Sequence, residues 1–467
     1  MPKRKIRNDA DLINELNDID LKDSNQTNCI VSTYYIFNQP HLDELGKQAN
    51  NLYNESLWRL LHDDEVHNYP QLNKCFKKMY EDKACMLYHK MDNVQNSQNM
   101  MKLAVQDMSS YYASLKAYRK HPKKFSGKPR RPHYSKKHTR HTFAVTNQTI
   151  RNKNGYLYSK KMGVNIKLDP AYCHYKLVRT IFVPIHGGYK VCAVFHVNKR
   201  NFQPDNGIYI GIDPGIDNAF VCVCNKKQEP LIINGKSLKS VNQYYHKKKA
   251  HLQRQQAQYN QNSKVINTKQ GKKTIYLPTN RMKKLDFDHA RKEDLFIYKS
   301  IKEMTDYALA CNAKTIFIGK NKNWKKNVKM GKKNNQNFLG IPHAKIINKL
   351  KAKAALYGIR VIATNESYTS QTSFLDGEKP CNANGNAQRK NKGLSPVNRR
   401  IHRGLFKSNK GILINADVNG ALQIIKKGFT TWQKVAHKNK LQAFSKLSFD
   451  EGIEGVVLHP VKINCLI

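Results

Sequence analysis

The 467-residue sequence holds 82 lysines and arginines against 34 aspartates and glutamates, a formal charge of +48. Folding confines that charge to a small volume, where it repels itself. A polyanion offsets the repulsion, because each phosphate neutralised by Lys or Arg releases condensed counterions. The excess therefore points to nucleic acid as the partner. The bland reading, codon bias towards Lys and Asn in a soluble basic protein, leaves so large an imbalance unexplained. A membrane surface is also anionic, but no amphipathic or apolar stretch stands out to insert into one. No signal peptide and no run of about 20 apolar residues occurs either. Hydrophobic residues make up 39%, enough for at least one substantial core. At roughly 150 residues per domain the length suggests two to four domains. The ten cysteines are scattered without a C-x-x-C pair, as expected of reduced cysteines in an intracellular protein. Cys222 and Cys224 lie in an apolar run and read as strand packing.

The chain changes character several times. Residues 1–27 are polar and read as a disordered tail, with Pro2-Lys3-Arg4-Lys5 either a nuclear import signal or part of a solvated end. Cys29 to Phe37 is apolar and β-branched and reads as a strand. From His41 to about Tyr118 apolar residues recur at helical spacing, as in Leu42, Leu45, Ala49 and Leu52. Residues 119–141 contain no acid. Lys123, Lys124, Lys128, Arg130, Arg131, Lys136 and Lys137 alternate there with Phe125 and Tyr134, a pattern suited to a nucleic-acid backbone and its unstacked bases. A disordered basic linker is the competing reading. His133, His138 and His141 have no cysteine beside them, so phosphate suits them better than metal. Residues 142–200 return to short strands separated by turns such as Asn154-Gly155 and Gly187-Gly188.

From Gly207 the sequence becomes specific. Gly207 to Ile212 reads as a strand ending at Asp213-Pro214-Gly215-Ile216-Asp217-Asn218, and a second strand follows at Ala219 to Cys224. Thr315 to Gly319 is another strand, Ile341-Pro342 opens a helix ended by Gly358, and Ile359 to Ala363 is the next strand. Asn415-Ala416-Asp417 starts a further helix. Acids are scarce here. None lies between Asp306 and Glu366, and only Asp376 and Glu378 lie between Glu366 and Asp417. One Glu after a strand and one Asp at a helix start invite a metal reading, since phosphodiester hydrolysis by two divalent ions needs converging carboxylates. Taken singly, each acid is equally well a helix cap or half of a surface ion pair.

Together, Ile212-Asp213-Pro214-Gly215, Glu366-Ser367-Tyr368-Thr369-Ser370 and Asn415 to Ala421 resemble the TnpB nucleases of insertion sequences. They resemble more closely still the eukaryotic and viral Fanzor relatives. Gly331 to Phe338 and Arg403-Gly404-Leu405-Phe406 resemble that group too, and the likeness is dense over residues 207–425. It implies a multidomain α+β protein: a wedge-like β-barrel at 28–45 and 125–205, a helical recognition insert at 46–124, and an RNase H-like (RuvC) nuclease domain at 206–425. Residues 426–467 would extend that domain, with no role assigned to them. The implied activity is RNA-guided cleavage of double-stranded DNA beside a short target-adjacent motif. The implied partners are a structured guide RNA (omega RNA) and target DNA, the protein acting as a monomer in a mobile-element ribonucleoprotein. The implied location is the nucleus of a eukaryotic host or the host cell of a giant virus. Base pairing would read most of the sequence, while the protein holds the heteroduplex by shape and backbone.

The resemblance assigns catalysis and two Mg²⁺ ions to Asp213, Glu366 and Asp417. Two departures qualify it. Many relatives carry the catalytic Glu directly after the strand equivalent to Thr315–Ile318, where this chain has Gly319-Lys320-Asn321-Lys322. A subset carries it on the next strand, and Glu366 fits that, since neighbouring strands are about 4.8 Å apart. Many relatives also have a four-cysteine zinc element. Here Thr372-Ser373-Phe374-Leu375 and Leu405-Phe406-Lys407-Ser408 stand in its place, and only Cys381 lies between them. A degenerate element at about 367–413 without zinc is therefore expected. The acid-free run containing Lys322, Trp324, Lys325, Lys326, Lys332 and Lys333 reads as a DNA- or duplex-contacting loop, or else a solvated one. The alternatives to a guided nuclease are a guided binder that no longer cuts, and an RNase H-type nuclease working without a guide.

Overall fold

The computed structural model describes residues 29–197, 201–268, 271–320, 336, 340–367, 369–380, 399–402, 404–438, 444 and 446–465. The N-terminal tail with Pro2-Lys3-Arg4-Lys5 and the loop with Lys322, Trp324, Lys325, Lys326, Lys332 and Lys333 lie outside the described residues. The chain divides into two compact units, Thr27–Asn198 and Lys199–Ile467.

The first unit begins with β1 (Cys29–Phe37), followed by α1 (Pro40–His62), α2 (Tyr69–Glu81) and α3 (Val94–Lys120). Asn68 and Asn93 cap α2 and α3 by accepting from Gln71 N at 3.1 Å and Gln95 N at 2.9 Å. The strands β2 (Phe143–Thr146), β3 (Arg151–Lys153), β4 (Tyr156–Ser159), β5 (Val164–Lys167), β6 (Lys176–Ile185) and β7 (Gly188–His196) follow. They form two antiparallel sheets, ordered β1-β7-β6-β2 and β3-β4-β5. Leu42, Leu45, Ala49 and Leu52 of α1 and Met100, Met101, Ala104 and Met108 of α3 bury against Phe143, Phe182 and Tyr189 in one core. The helical and strand readings of 29–196 thus match the elements, but among the described residues the sheets stay open, and no closed barrel is present.

The second unit is built on a six-stranded sheet. β8 (Tyr209–Pro214), β9 (Asn218–Cys224) and β10 (Leu231–Asn234) run antiparallel. There follow α4 (Lys236–Gln258), the hairpin of β11 (Ser263–Thr268) and β12 (Gly271–Tyr276), and α5 (Asn280–Ala310), capped by Thr279. β13 (Thr315–Gly319), α6 (His343–Ala355) and β14 (Arg360–Thr364) come next. β13 pairs in parallel with both β8 and β14. A small sheet of β15 (Arg400–His402), β16 (Leu405–Lys407) and β17 (Leu413–Asn415) leads into α7 (Ala416–Lys438). After α8 (Ile453–Val456), β18 (Val461–Asn464) pairs in parallel with β10 and completes the order β14-β13-β8-β9-β10-β18. The C-terminal segment, to which the sequence assigns no role, thus supplies an edge strand.

Both faces of this sheet are covered, and side-chain alternation sorts the residues. Ile210, Ile212, Cys222, Cys224, Ile316 and Ile318 share a core with Phe296, Ile297 and Ile301 of α5 and with Ile346 and Leu350 of α6. Tyr209 and Phe317 pack on the other face with Ile424 and Ile425 of α7, as do Val221 and Val223 with Val418, Ala421 and Leu422. Helix α7 lies almost directly on β8. A Cβ on Gly211 would run into the Ala421 carbonyl oxygen and come within 2.7 Å of Ile425 Cγ1. A Cβ on Gly428 would overlap the Phe317 ring.

Gly211→Ala is therefore expected to lower the melting temperature by roughly 5–10 °C, as overpacking against backbone costs about 1–3 kcal/mol. Gly404→Ala, whose Cβ meets nothing within 4 Å, should leave it within about 1 °C of the parent by the same bookkeeping. Equal melting temperatures for the two variants in calorimetry would mean that α7 does not press on β8.

Candidate functional site

The alternation that sends Ile210 and Ile212 towards α5 sends Gly211 and Asp213 towards α7. Asp213 is the last acid-bearing position before β8 turns, and its Oδ2 lies 2.6 Å from where a Cβ on Gly420 would stand. Gly420 belongs to the first turns of α7, which begins at Ala416-Asp417. Asn415 caps that helix, its Oδ1 accepting from Asp417 N at 3.0 Å and Val418 N at 3.3 Å. Asp417 therefore sits at the helix N-terminus, where the dipole favours an anion. The third carboxylate arrives from β14. The register sets Ile318 beside Ile212 and Gly319 beside Thr364, so residue 319 neighbours Asp213 on the α7 face. Gly319 has no side chain to project there. A Cβ at that position would overlap Glu366 Oε2 and approach Ile424 Cδ1 and Pro214 Cδ at 3.1 Å each. The Glu366 carboxylate occupies the space that a residue-319 side chain would fill.

Asp213, Glu366 and Asp417 are each half-buried. Burial, then the Glu366 and Asp417 charges, push the Asp213 carboxyl well above its ordinary range, with Arg400 opposing. Burial lifts Glu366 to about 8, with Lys427 opposing. The three acids thus lie within one another's field, and the donor set consists of hard carboxylate oxygens of the kind Mg²⁺ takes. Among the described residues no group of three or more His, Cys, Asp or Glu side chains is disposed to hold a metal ion as it stands. Three further residues belong to the site and escape sequence reasoning. Asn218, at the start of β9, donates to Asp417 Oδ2 at 2.8 Å. Lys427, on α7, donates to the Ser367 carbonyl at 2.8 Å and fastens the loop that carries Glu366. Arg400, on the exposed β15, directs positive charge at Asp213. Only Asn218, adjoining the Asp-Pro-Gly turn, stands within reach of a sequence motif.

Asp376 and Glu378 go elsewhere. Glu378 Oε2 accepts from Ser373 N at 2.8 Å and from Arg399 Nη1 at 2.9 Å. Asp376 pairs with Arg399 Nη2 at 3.3 Å and accepts from Asn409 N at 3.1 Å. The three charged side chains are at most 6% exposed. The sequence shows no strand to fix these acids, and none does. A buried arginine holds them, tying together the two ends of the segment that the sequence reads as a degenerate zinc element. Asn419 of α7 docks the same knot, accepting from Phe374 N at 2.9 Å and donating to the Thr372 carbonyl at 2.8 Å.

In the first unit the acid-free stretch is not a free linker. Asn54 and Ser135 exchange hydrogen bonds of 2.8 and 2.9 Å, Asn50 donates to the Lys136 carbonyl at 2.8 Å, and Arg140 pairs with Asp43 at 2.7 Å. Strapped to α1 in this way, the segment leaves Lys123, Lys124, Lys128, Arg130, Arg131, Lys136 and Lys137 all exposed. Among the described residues no helix is long and apolar enough to cross a membrane.

The site also makes a pH prediction. A carboxyl whose folded pKa lies above its unfolded value binds its proton more tightly when folded. Glu366, raised from 4.5 to about 8, therefore contributes stability that is full below about pH 4.5 and lost as the pH rises through about 8. Metal-free protein should melt at progressively lower temperature across that window, and Glu366→Gln should flatten the decline. An unchanged slope in the variant would place the titrating groups elsewhere.

No curated protein sequence matches the chain. Its overall likeness to solved structures is loose. It is similar to the protein of a Cas12f1–sgRNA–target DNA complex at 15% identity, covering 85% of this chain and 98% of that one, with a TM-score of 0.32. A CRISPR–Cas12f ternary complex gives 16% identity over 90% and 85% of the two chains, TM-score 0.32. CasPhi-2 (Cas12j) bound to crRNA gives 10% over 85% and 97%, TM-score 0.39. The specific match is local: residues 343–424, from the start of α6 through Glu366 and Asp417, match the domain family described as Cas12f1-like, TNB domain.

Proposed function

We propose that the chain is an RNA-guided DNA endonuclease that cuts double-stranded DNA beside a short target-adjacent motif, in the manner of the TnpB and Fanzor nucleases. One observation carries the reading. Three carboxylates from three distant parts of the sequence meet on one face of a sheet, and a glycine at 319 clears room for the one that arrives from the neighbouring strand. Supporting it are the strand order, three antiparallel strands with two parallel ones added at β8, as an RNase H-like nuclease domain requires, and the match of residues 343–424 to a Cas12f1-like domain.

Asp213, Glu366 and Asp417 would hold two Mg²⁺ ions, which when bound supply an activated water and charge stabilisation for the leaving oxygen. The protein's own contribution is placement. Asn218 orients Asp417, Lys427 fixes the Glu366 loop, and the α7 N-terminus favours negative charge at the site. Arg400 adds a cation on the side of Asp213, suited to a scissile phosphate. The exposed cations of 123–137 and the overall charge suit a guide RNA and its heteroduplex with DNA. A mobile-element setting and a nuclear or giant-virus host belong to the same reading.

Single changes Asp213→Ala, Glu366→Ala and Asp417→Ala should each reduce plasmid cutting by about a hundredfold or more while guide and target binding stay near the parent level. Glu366→Gln should fail equally, because the amide keeps the shape and loses the charge. Cutting by Glu366→Gln at the parental rate would overturn the assignment, and equal loss of DNA binding would point to misfolding instead.

Protein expressed with its flanking genomic sequence should copurify with an RNA of defined length. Arg130→Glu with Arg131→Glu should weaken RNA retention and lower the salt slope by roughly two, about 0.9 for each phosphate contact. Full activity of RNA-free protein would rule out the guide.

A further inference from the structure

One acid stands alone in the most basic part of the first unit. Asp107, on α3, is the sole aspartate or glutamate between Asp92 and Asp169. A carboxylate on a wall of cations repels the phosphates those cations attract, unless a donor group comes to it. It is held in place: the Tyr53 hydroxyl donates to Asp107 Oδ2 at 2.7 Å, and the Tyr53 ring stacks on His141 at 4.7 Å. Tyr53 is buried, whereas Asp107 is half-buried and borders an open cleft. That cleft, of about 410 Å³, lies between α1, α3 and the strapped segment, and Ser110, Tyr111, Arg130 and His133 line it with the Tyr53–Asp107 pair. A second cavity of about 820 Å³ adjoins it through Ser114, Pro129 and Arg130 and adds Phe125 and Lys128. Both volumes fall in the ~300–1,000 Å³ range of small-ligand clefts.

We infer that this cleft receives one unstacked nucleotide, its base presenting an exocyclic amine to Asp107 and stacking on Tyr111 while Arg130 and His133 take its phosphate. The inference rests on the reading of the chain as a nucleic-acid binder and names a subsite within it. A carboxylate offers about four lone-pair sites, so accepting from Tyr53 leaves capacity for an amine. Adenine, cytosine and guanine carry such an amine and uracil and thymine do not, so an aspartate discriminates between the two groups, as acidic side chains do when they accept from the cytosine amine. A nearby aromatic ring supplies affinity that is indifferent to base identity. An acidic peptide or a free anion would use the cations but would meet Asp107 as a repulsion. The nucleotide belongs either to the RNA or to a displaced DNA strand, and the chemistry is the same for both.

The test uses the full chain, freed of bound RNA by high salt, and fluorescent single-stranded homopolymers read by anisotropy. Oligo(C) and oligo(A) should bind the parent about tenfold tighter relative to oligo(U) or oligo(dT) than they bind Asp107→Asn, a difference on the scale of one base contact. Affinity of the variant for oligo(U) should change less than threefold by the same reasoning. Tyr111→Ala should weaken all the oligomers by a similar factor, on the order of tenfold. Whether the RNA or the DNA series carries the Asp107-dependent preference tells which strand enters. Asp107→Asn, which keeps an acceptor for Tyr53, should melt with the parent, so a lost preference at unchanged melting temperature is a binding effect. Identical base preference in parent and Asp107→Asn would overturn the pocket while leaving nucleic-acid binding intact. Failure of the parent to bind any oligomer would instead remove the reading on which it rests.

Discussion

The contact on which the second unit depends is the close approach of helix α7 to strand β8. At Gly211 helix α7 reaches β8 backbone to backbone, with the Ala421 carbonyl against the glycine, and at Gly420 the helix leaves room for the Asp213 carboxylate. This brings the helix N-terminus down onto the end of the strand, so Asp417 joins Asp213 although 204 positions separate them in the sequence. An added methyl group at Gly211 would lift the helix, and one at Gly420 would displace the Asp213 carboxylate. The α7 face of the sheet is thus made by what is missing: Gly211, Gly319, Gly420 and Gly428 each leave a space that backbone, carboxylate or ring occupies.

Gly319 leaves open the place that the third acid fills. Its side-chain position lies on the same face as Asp213, one strand across. A side chain rooted there and one rooted at residue 366 compete for the same volume, so only one is present. Glu366, on the loop after β14, brings its carboxylate into that volume. The loop is secured by Lys427 on the Ser367 carbonyl and by the Asn365 side chain on Ser367 N at 2.8 Å. The Arg399 cluster secures the segment that follows Glu366 by buried ion pairs. Breaking one partner of a buried ion pair costs about 3–5 kcal/mol, so Arg399 holds Asp376 and Glu378 firmly in this segment.

The first unit solves a different problem, the presentation of charge. Seven cations within residues 123–137 would scatter if the segment were loose. Asn50 and Asn54 of α1 instead take its backbone groups as partners. Side-chain amides suit this work because each offers both a donor and an acceptor. The result is a fixed row of positive charge, with Asp107 and Tyr53 marking a break in it.

Much of this was legible in the sequence. Apolar spacing at Leu42, Leu45, Ala49 and Leu52 marked a helix, alternation marked β8 and β9, and the scarcity of acids between Asp306 and Asp417 singled out Glu366. These signals are local or compositional, and such signals survive in one dimension. What only the tertiary structure decided is which residues meet. Register alone puts residue 319 beside Asp213, where the Glu366 carboxylate takes up the space a side chain there would fill. Packing alone turns Asp376 and Glu378 inward to Arg399, though by composition they rivalled Glu366. Arg400 and Lys427 carry no motif, because a cation acts through distance and burial, and neither is written in the order of the residues.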